Sequence, residues 1–136
     1  MNDKELVKEA ILAREKSYSP YSNYMVGAAL LTKDGKVYRG CNIENAAFSP
    51  SNCAERTAFF KAVSEGEKEF SAIAVAGWAR GNQNPGYAYP CGVCRQVMME
   101  FCDPDTFRII VAAGEDNFVS STLRELLPHG FGPASL

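Results

Sequence analysis

Cys53-Ala54-Glu55 and, further along the chain, Pro90-Cys91-Gly92-Val93-Cys94 supply three thiols and a carboxylate in a pattern that can do chemistry. Two cysteines separated by two residues, joined by a third from a distant segment, form a metal-ligand set suited to zinc. A structural zinc closes its tetrahedron with four protein ligands, whereas a catalytic zinc keeps three and leaves the fourth position to water. Glu55, two residues past Cys53, would then stand beside that water. In a hydrolysis that displaces an amine, the water loses a proton and the departing nitrogen gains one, and a single carboxylate can carry it across. Whether a fourth protein ligand exists decides between the two kinds of site.

Three further residues are candidates for that fourth position. Cys102 follows Cys94 by eight residues. On a helix this is about 12 Å along the axis, too far to share an ion whose zinc–sulfur bonds are about 2.3 Å. Cys41 closes the run Lys36-Val37-Tyr38-Arg39-Gly40-Cys41, which reads as a strand, and a small buried hydrophobe is its expected role. His129, the only histidine, lies between Pro128 and Gly130, where a solvated loop residue is expected. The reading is an open, three-ligand site. The competing one is a binding module held together by structural zinc.

Disulfides are a poor account of the five cysteines, because the count is odd and Met1-Asn2-Asp3-Lys4-Glu5 is polar with no apolar segment after it. The expectation is a cytoplasmic protein with metal-binding thiols. No apolar run approaches the length of a membrane span.

Two neighbours of the cysteines carry alternatives. Asn52-x-x-Glu55 matches a capping box, in which Glu55 would only bond backbone N–H. Arg56 is either a surface arginine or a donor to a ligand thiolate. Three thiolates on a divalent ion leave a net negative cluster, which helix N-terminal amides and Arg56 would offset.

The elements that must position these groups are legible from periodicity. The chain has 136 residues, 46% of them hydrophobic and 22% charged, which suits one globular domain spanning residues 1–136. Its formal net charge of −2 lacks the basic footprint of a nucleic-acid binder. Asn2-x-x-Glu5 opens a helix that should end near Ser17. Val26–Leu31 and Val37–Asn42 read as strands joined by an Asp34-Gly35 turn. A helix is expected from Cys53 to Val63 with Gly66 as its stop. Phe70–Gly77 reads as a central strand and Trp78–Tyr89 as irregular. A helix from Cys91 to Phe101, strands at 107–112 and 117–119, and a short helix capped by Thr122-x-x-Glu125 complete the chain. This alternation predicts an α/β fold with a five-stranded mixed sheet covered by helices on its faces. Both metal-ligand segments fall at helix N-termini.

Cys-Ala-Glu followed by Pro-Cys-x-x-Cys resembles the signature of the zinc deaminases. Tyr18-Ser19-Pro20-Tyr21-Ser22, Val26-Gly27-Ala28-Ala29-Leu30, Gly40-Cys41-Asn42-Ile43-Glu44-Asn45-Ala46, Cys53 to Ala58, Pro90 to Val97 and Glu125-Leu126-Leu127-Pro128 extend the likeness to cytidine deaminases of the short, three-cysteine branch. The resemblance implies a three-layer α/β/α sandwich that converts cytidine and 2′-deoxycytidine to the uridines with release of ammonia. It implies one zinc held by Cys53, Cys91 and Cys94, with Glu55 passing protons to the base and the departing amine. Asn42 and Glu44 match a pair that binds the ribose, while backbone groups of Ala54 and Tyr89 match contacts to the base. Tyr24 takes the place of a phenylalanine against the ring. Phe131 matches a ring offered to a neighbouring subunit, in a homotetramer with shared sites.

Three positions depart from that pattern. Tyr24 carries a hydroxyl that needs a polar partner, Phe48 stands where a tyrosine is frequent, and the Trp78–Tyr89 segment is longer than usual and ends in Tyr89 in place of a small hydroxyl residue. A deaminase for another aminopyrimidine, such as a blasticidin-type antibiotic, shares the cysteine motifs. The Asn42-Ile43-Glu44 element argues instead for a ribose-bearing substrate, and a deaminase of RNA or DNA would need a basic surface.

Overall fold

A computed structural model describes all residues from Met1 to Leu136. Nine main elements follow in the expected order: α1 (Asp3–Arg14), β1 (Tyr24–Thr32), β2 (Val37–Cys41), α2 (Ala54–Ser64), β3 (Phe70–Ala79), α3 (Gly92–Phe101), β4 (Arg108–Gly114), β5 (Asn117–Thr122) and α4 (Leu123–Leu126). A short 3-10 turn at Pro133–Ser135 ends the chain. The strands form one sheet in the order β2-β1-β3-β4-β5. Only β3 and β4 run parallel, with α3 in the crossover between them.

Strand alternation sorts the core into two layers. Ala28, Leu30, Ile73, Val75, Ile109 and Val111 face α2, α3 and α4, where Phe59, Met98 and Leu123 fill the space. The intervening residues Ala29, Ala72, Ala74, Ala76 and Ala112 are small, and the single helix α1 lies on them through Leu6, Val7 and Ala10. The result is the expected three-layer α/β/α arrangement, thick on the α2–α3 side and thin on the α1 side.

Helix α1 starts at the Asn2 cap, whose Oδ1 accepts from Glu5 N at 2.8 Å. It stops at Arg14, earlier than the expected Ser17, because Arg14 turns onto the sheet. Its guanidinium donates to the carbonyls of Met25 (3.1 Å) and Trp78 (2.8 Å) and lies 4.3 Å from the Trp78 ring centroid. Residues 15–17 then tighten into successive three-residue turns onto Leu12, Ala13 and Arg14. Gly27 permits this approach: a Cβ there would lie 2.1 Å from Ala10 O and 2.2 Å from Arg14 N. The obstructing atoms are backbone, so Gly27→Ala must push α1 off the sheet. A loss of about 3 kcal/mol, the upper end for overpacking, and a Tm lower by roughly 10 °C are expected in thermal unfolding.

Other boundaries differ little. Strand β3 runs on to Ala79 and takes in Trp78, since β1 continues to pair with it from Tyr24. Cys41 is only half-buried, contrary to expectation, because β2 is an edge strand; its thiol donates to Lys16 O at 3.3 Å. No helix is long and apolar enough to cross a membrane.

Candidate active site

Helices α2 and α3 lie on the same side of the sheet and bring their N-termini together. Cys53 is the N-cap of α2 and Cys91 that of α3; neither side chain is used in capping. Both sulfurs thus sit at the positive ends of helix dipoles, and Cys94, one turn into α3, lies beneath them with 1% exposure. Arg95 ties the preceding turn down by donating from Nε to Pro90 O at 2.7 Å.

The sulfur of Cys91 lies 3.8 Å from that of Cys53 and 3.5 Å from that of Cys94, and all three are within 4.8 Å of one another. A disulfide requires about 2.0 Å, so no pair is bonded. Tetrahedral zinc with bonds of about 2.3 Å spaces its sulfurs about 3.8 Å apart, and the triangle fits that ion. No fourth ligand joins it: this is the one group of three or more potential ligands in the chain. Cys41, Cys102 and the exposed His129 lie elsewhere.

Arg56 Nη2 donates to Cys53 Sγ at 3.1 Å, and its buried Nε has no partner. Hydrogen bonding from Cys94, reinforced by Arg56, holds the Cys53 thiol well below its ordinary range. The same pairing, with burial, pushes Cys94 up. The surroundings therefore favour a thiolate at the cluster before any metal arrives.

Glu55 is 5% exposed yet lines the cleft beside Cys53. The capping alternative fails on geometry, since the N-cap is Cys53 rather than Asn52, which leaves Glu55 two residues past the cap and not at the third position that a capping box needs. Burial pushes the Glu55 carboxyl from 4.5 up to about 7, with the Cys53 sulfur adding to the shift. A carboxyl poised near neutrality can both take and give a proton at physiological pH. The raised value also costs stability, with a definite sign. Below pH 4.5 both folded and unfolded chains hold this proton and nothing is lost. As pH rises from 4.5 to about 7, the unfolded chain ionises first and the folded state falls behind. In the metal-free protein Glu55→Gln should therefore match wild type near pH 4 and exceed it above pH 7, by up to about 3 kcal/mol, in denaturant titrations across that range.

The cleft has a volume of about 540 Å³, and Tyr24, Asn42, Glu44, Ala54, Arg56, Tyr89 and Cys91 line it together with Cys53 and Glu55. Tyr24 finds its polar partner: the hydroxyl donates to Gly77 O at 3.1 Å. Asn42 Oδ1 accepts from Val26 N at 2.9 Å and from Ser17 Oγ, while its Nδ2 donates to Tyr24 O at 2.8 Å. Glu44 Oε1 accepts from the backbone N–H groups of Tyr21 (3.0 Å) and Ser22 (3.2 Å), and Oε2 from Ser22 Oγ. Phe131 lies outside the cleft of its own chain, 59% exposed, with its carbonyl accepting from Gln96 Nε2 at 2.8 Å. Phe48 stands at the cleft rim with 93% of its surface free. Val26 and Asn52 line the cleft too; Ser51, Val75 and Ala88 also do so and were not singled out by sequence. None of the latter has a motif of its own, and strand and loop packing alone brings them there.

Residues 1–110 match the family described as the cytidine and deoxycytidylate deaminase zinc-binding region. A cytidine deaminase of Halalkalibacterium halodurans is 50% identical over 131 residues, covering 96% of this chain and 95% of that protein. Another, of Sporosarcina psychrophila, is 46% identical over 136 residues, covering 100% of this chain and 96% of its own length. The crystal structure of cytidine deaminase from Burkholderia pseudomallei superposes with a TM-score of 0.86 at 46% identity, covering 96% of this chain and 100% of the other. The matched region contains both helix N-termini and all three thiols, and the chain belongs to the zinc-binding cytidine and deoxycytidylate deaminase family.

Proposed function

We propose that the cleft hydrolyses cytidine and 2′-deoxycytidine to the corresponding uridines and ammonia, with zinc held by Cys53, Cys91 and Cys94 and with Glu55 as the proton carrier. The observation that carries this reading is the sulfur triangle: it fits zinc, has no fourth protein ligand, and adjoins a buried carboxyl at the wall of an open cleft. When bound there, zinc supplies the Lewis acidity that makes a water nucleophilic near neutral pH. Glu55 takes the proton that this water gives up and delivers it to N3 of the base as oxygen adds at C4. It then takes the proton of the new C4 hydroxyl and passes it to the exocyclic nitrogen, which leaves as ammonia while the C4 carbonyl forms. Arg56 offsets the excess negative charge of three thiolates through its bond to Cys53.

The lining favours a free nucleoside over a nucleotide. Arg56 is the one Lys or Arg in the cleft wall and is engaged with Cys53, so no cation is left for a phosphate. Tyr24, with the backbone of Ala54 and Tyr89, is assigned to the base, and Asn42 with Glu44 to the sugar. Counting donors and acceptors sharpens the second assignment. Both acceptor positions of Asn42 Oδ1 are filled, leaving one N–H donor; Glu44 keeps one acceptor position on Oε2. One hydroxyl, donating to Glu44 and accepting from Asn42, satisfies both. With 2′-deoxycytidine proposed as a substrate beside cytidine, the 3′-hydroxyl, common to both, is the group assigned to this pair.

Residues 1–136 are proposed to act as one catalytic domain within a homotetramer. The exposed Phe131, outside its own cleft, and the bare Phe48 at the rim support sites completed by a neighbour. A fully active monomer in sedimentation analysis would overturn that assembly. The test of the activity itself is deamination of cytidine by zinc-quantified protein, followed by absorbance and ammonia release. Turnover at one zinc per chain is expected; stoichiometric zinc without turnover on either nucleoside would overturn the reading.

A further inference from the structure

We infer that Ser22 is a positioning residue for substrate selection: its hydroxyl aims the Glu44 carboxylate at the sugar. The inference rests on the assignment of Asn42 and Glu44 to the 3′-hydroxyl. Ser22 Oγ accepts from Tyr24 N at 3.0 Å and donates to Glu44 Oε2. Because one lone pair is committed to the Tyr24 N–H, the hydroxyl hydrogen is directed to Glu44 rather than back toward the chain. Tyr21 and Ser22 N–H groups fill Oε1 at the same time. The carboxylate is thereby fixed in rotation, with a single acceptor position facing outward. These three donors also hold Glu44 below the usual carboxylate range, led by the Ser22 hydroxyl, so it stays an acceptor.

The arrangement extends beyond one contact. Asn42 Nδ2 donates to Tyr24 O, and Ser17 Oγ donates to Asn42 Oδ1. Ser17, Asn42, Tyr24, Ser22 and Glu44 therefore form one continuous chain of hydrogen bonds, with the backbone of Tyr24 held at both its N–H and its carbonyl. Backbone pairing keeps the two strips in step: Tyr18 N donates to Asn42 O at 3.0 Å and Glu44 N to Tyr18 O at 2.8 Å. Directly after Ser22, Asn23 takes a left-handed conformation (φ 59°) that swings the chain into β1. Ser22 sits where the segment that holds the sugar-reading pair meets the strand that carries the base-contacting ring. It is exposed and outside any catalytic motif, yet its hydroxyl joins both halves of the subsite.

The test compares kcat and KM for cytidine and 3′-deoxycytidine in wild type, S22A, S22T and E44Q. A hydrogen bond to a charged group is worth enough that S22A should raise the KM for cytidine about tenfold, with kcat within about twofold. The preference for cytidine over 3′-deoxycytidine should fall about tenfold, and S22T, which keeps the hydroxyl, should restore it. If E44Q loses the preference and S22A keeps it, the role of Ser22 is overturned. If E44Q keeps it as well, the sugar assignment itself is wrong. Loss of zinc or of native circular dichroism in S22A would instead make Ser22 a structural residue and overturn the inference.

Discussion

Glu55→Gln leaves a folded, zinc-loaded protein whose deamination of cytidine is slower by about 10⁴-fold. General acid–base catalysis contributes roughly 10²–10⁴, and the upper end applies because the role proposed for Glu55 makes it both acceptor and donor within one turnover. The amide has the shape of the protonated carboxyl but can neither take a proton from water nor give one to nitrogen. The loss belongs in kcat, with KM little changed, since the contacts assigned to the sugar and base are elsewhere. Two controls separate this from damage to the fold. Zinc should remain at one per chain, because Glu55 is not among the three ligands. Stability of the metal-free protein above pH 7 should rise rather than fall, because a buried carboxyl pushed up to about 7 is replaced by a neutral group. Near-normal turnover in this variant would refute the proton-carrier assignment.

Cys91→Ala abolishes turnover by removing the metal. The cluster has three thiols and no reserve ligand, so two sulfurs remain where a catalytic zinc needs three protein ligands. Losing a hydrogen-bonding partner of a ligand already costs 10–100-fold in affinity, and losing the ligand itself should exceed about 10²-fold. Cys91 is the suitable position because its side chain is exposed, whereas Cys94 is packed beneath α2 and α3 and its truncation would also open a cavity. The metal joins the N-termini of two helices, so its loss should also lower Tm, and a chelator should do the same to wild type. Cys41→Ser, outside the cluster, should keep both zinc and activity. Full zinc content in Cys91→Ala would show that the site recruits another ligand and would contradict the open, three-ligand geometry.

The core shows how far composition carries. The order of helices and strands, with apolar runs at β1, β3 and β4, was enough to expect a sheet covered on both faces, and the alternation of successive side chains then splits each run between two sides. The asymmetry between a thin alanine layer under α1 and a bulky layer under α2 and α3 is written in the same alternation, though only pairing tells which set faces which helix. Helix ends were legible where a cap has local chemistry, as at Asn2 and Thr122. They were not where a long-range contact stops the helix, as Arg14 does by turning onto Met25 and Trp78. Cys41 was misjudged for a similar reason: burial of a strand residue depends on whether its strand is an edge, which is a property of the sheet order.

The candidate site divides along the same line. Sequence alone determined the ligand set, the place of Glu55 beside it and the helix N-termini that carry both, since these depend on residue type and on spacings within a single turn or motif. It also left Glu55 with two readings, cap or proton carrier, because the same residue type at the same spacing serves both. Only the tertiary structure removed the first, by making Cys53 the cap, and placed the carboxyl, buried, at the cleft wall. Likewise only the fold closed the sulfur triangle to zinc dimensions without a fourth ligand, and brought Ser17 and Ser22 onto Asn42 and Glu44. Ligation, desolvation and saturation of a polar group are set by distances between segments far apart in the chain, and those distances exist only once α2 and α3 are packed on the sheet.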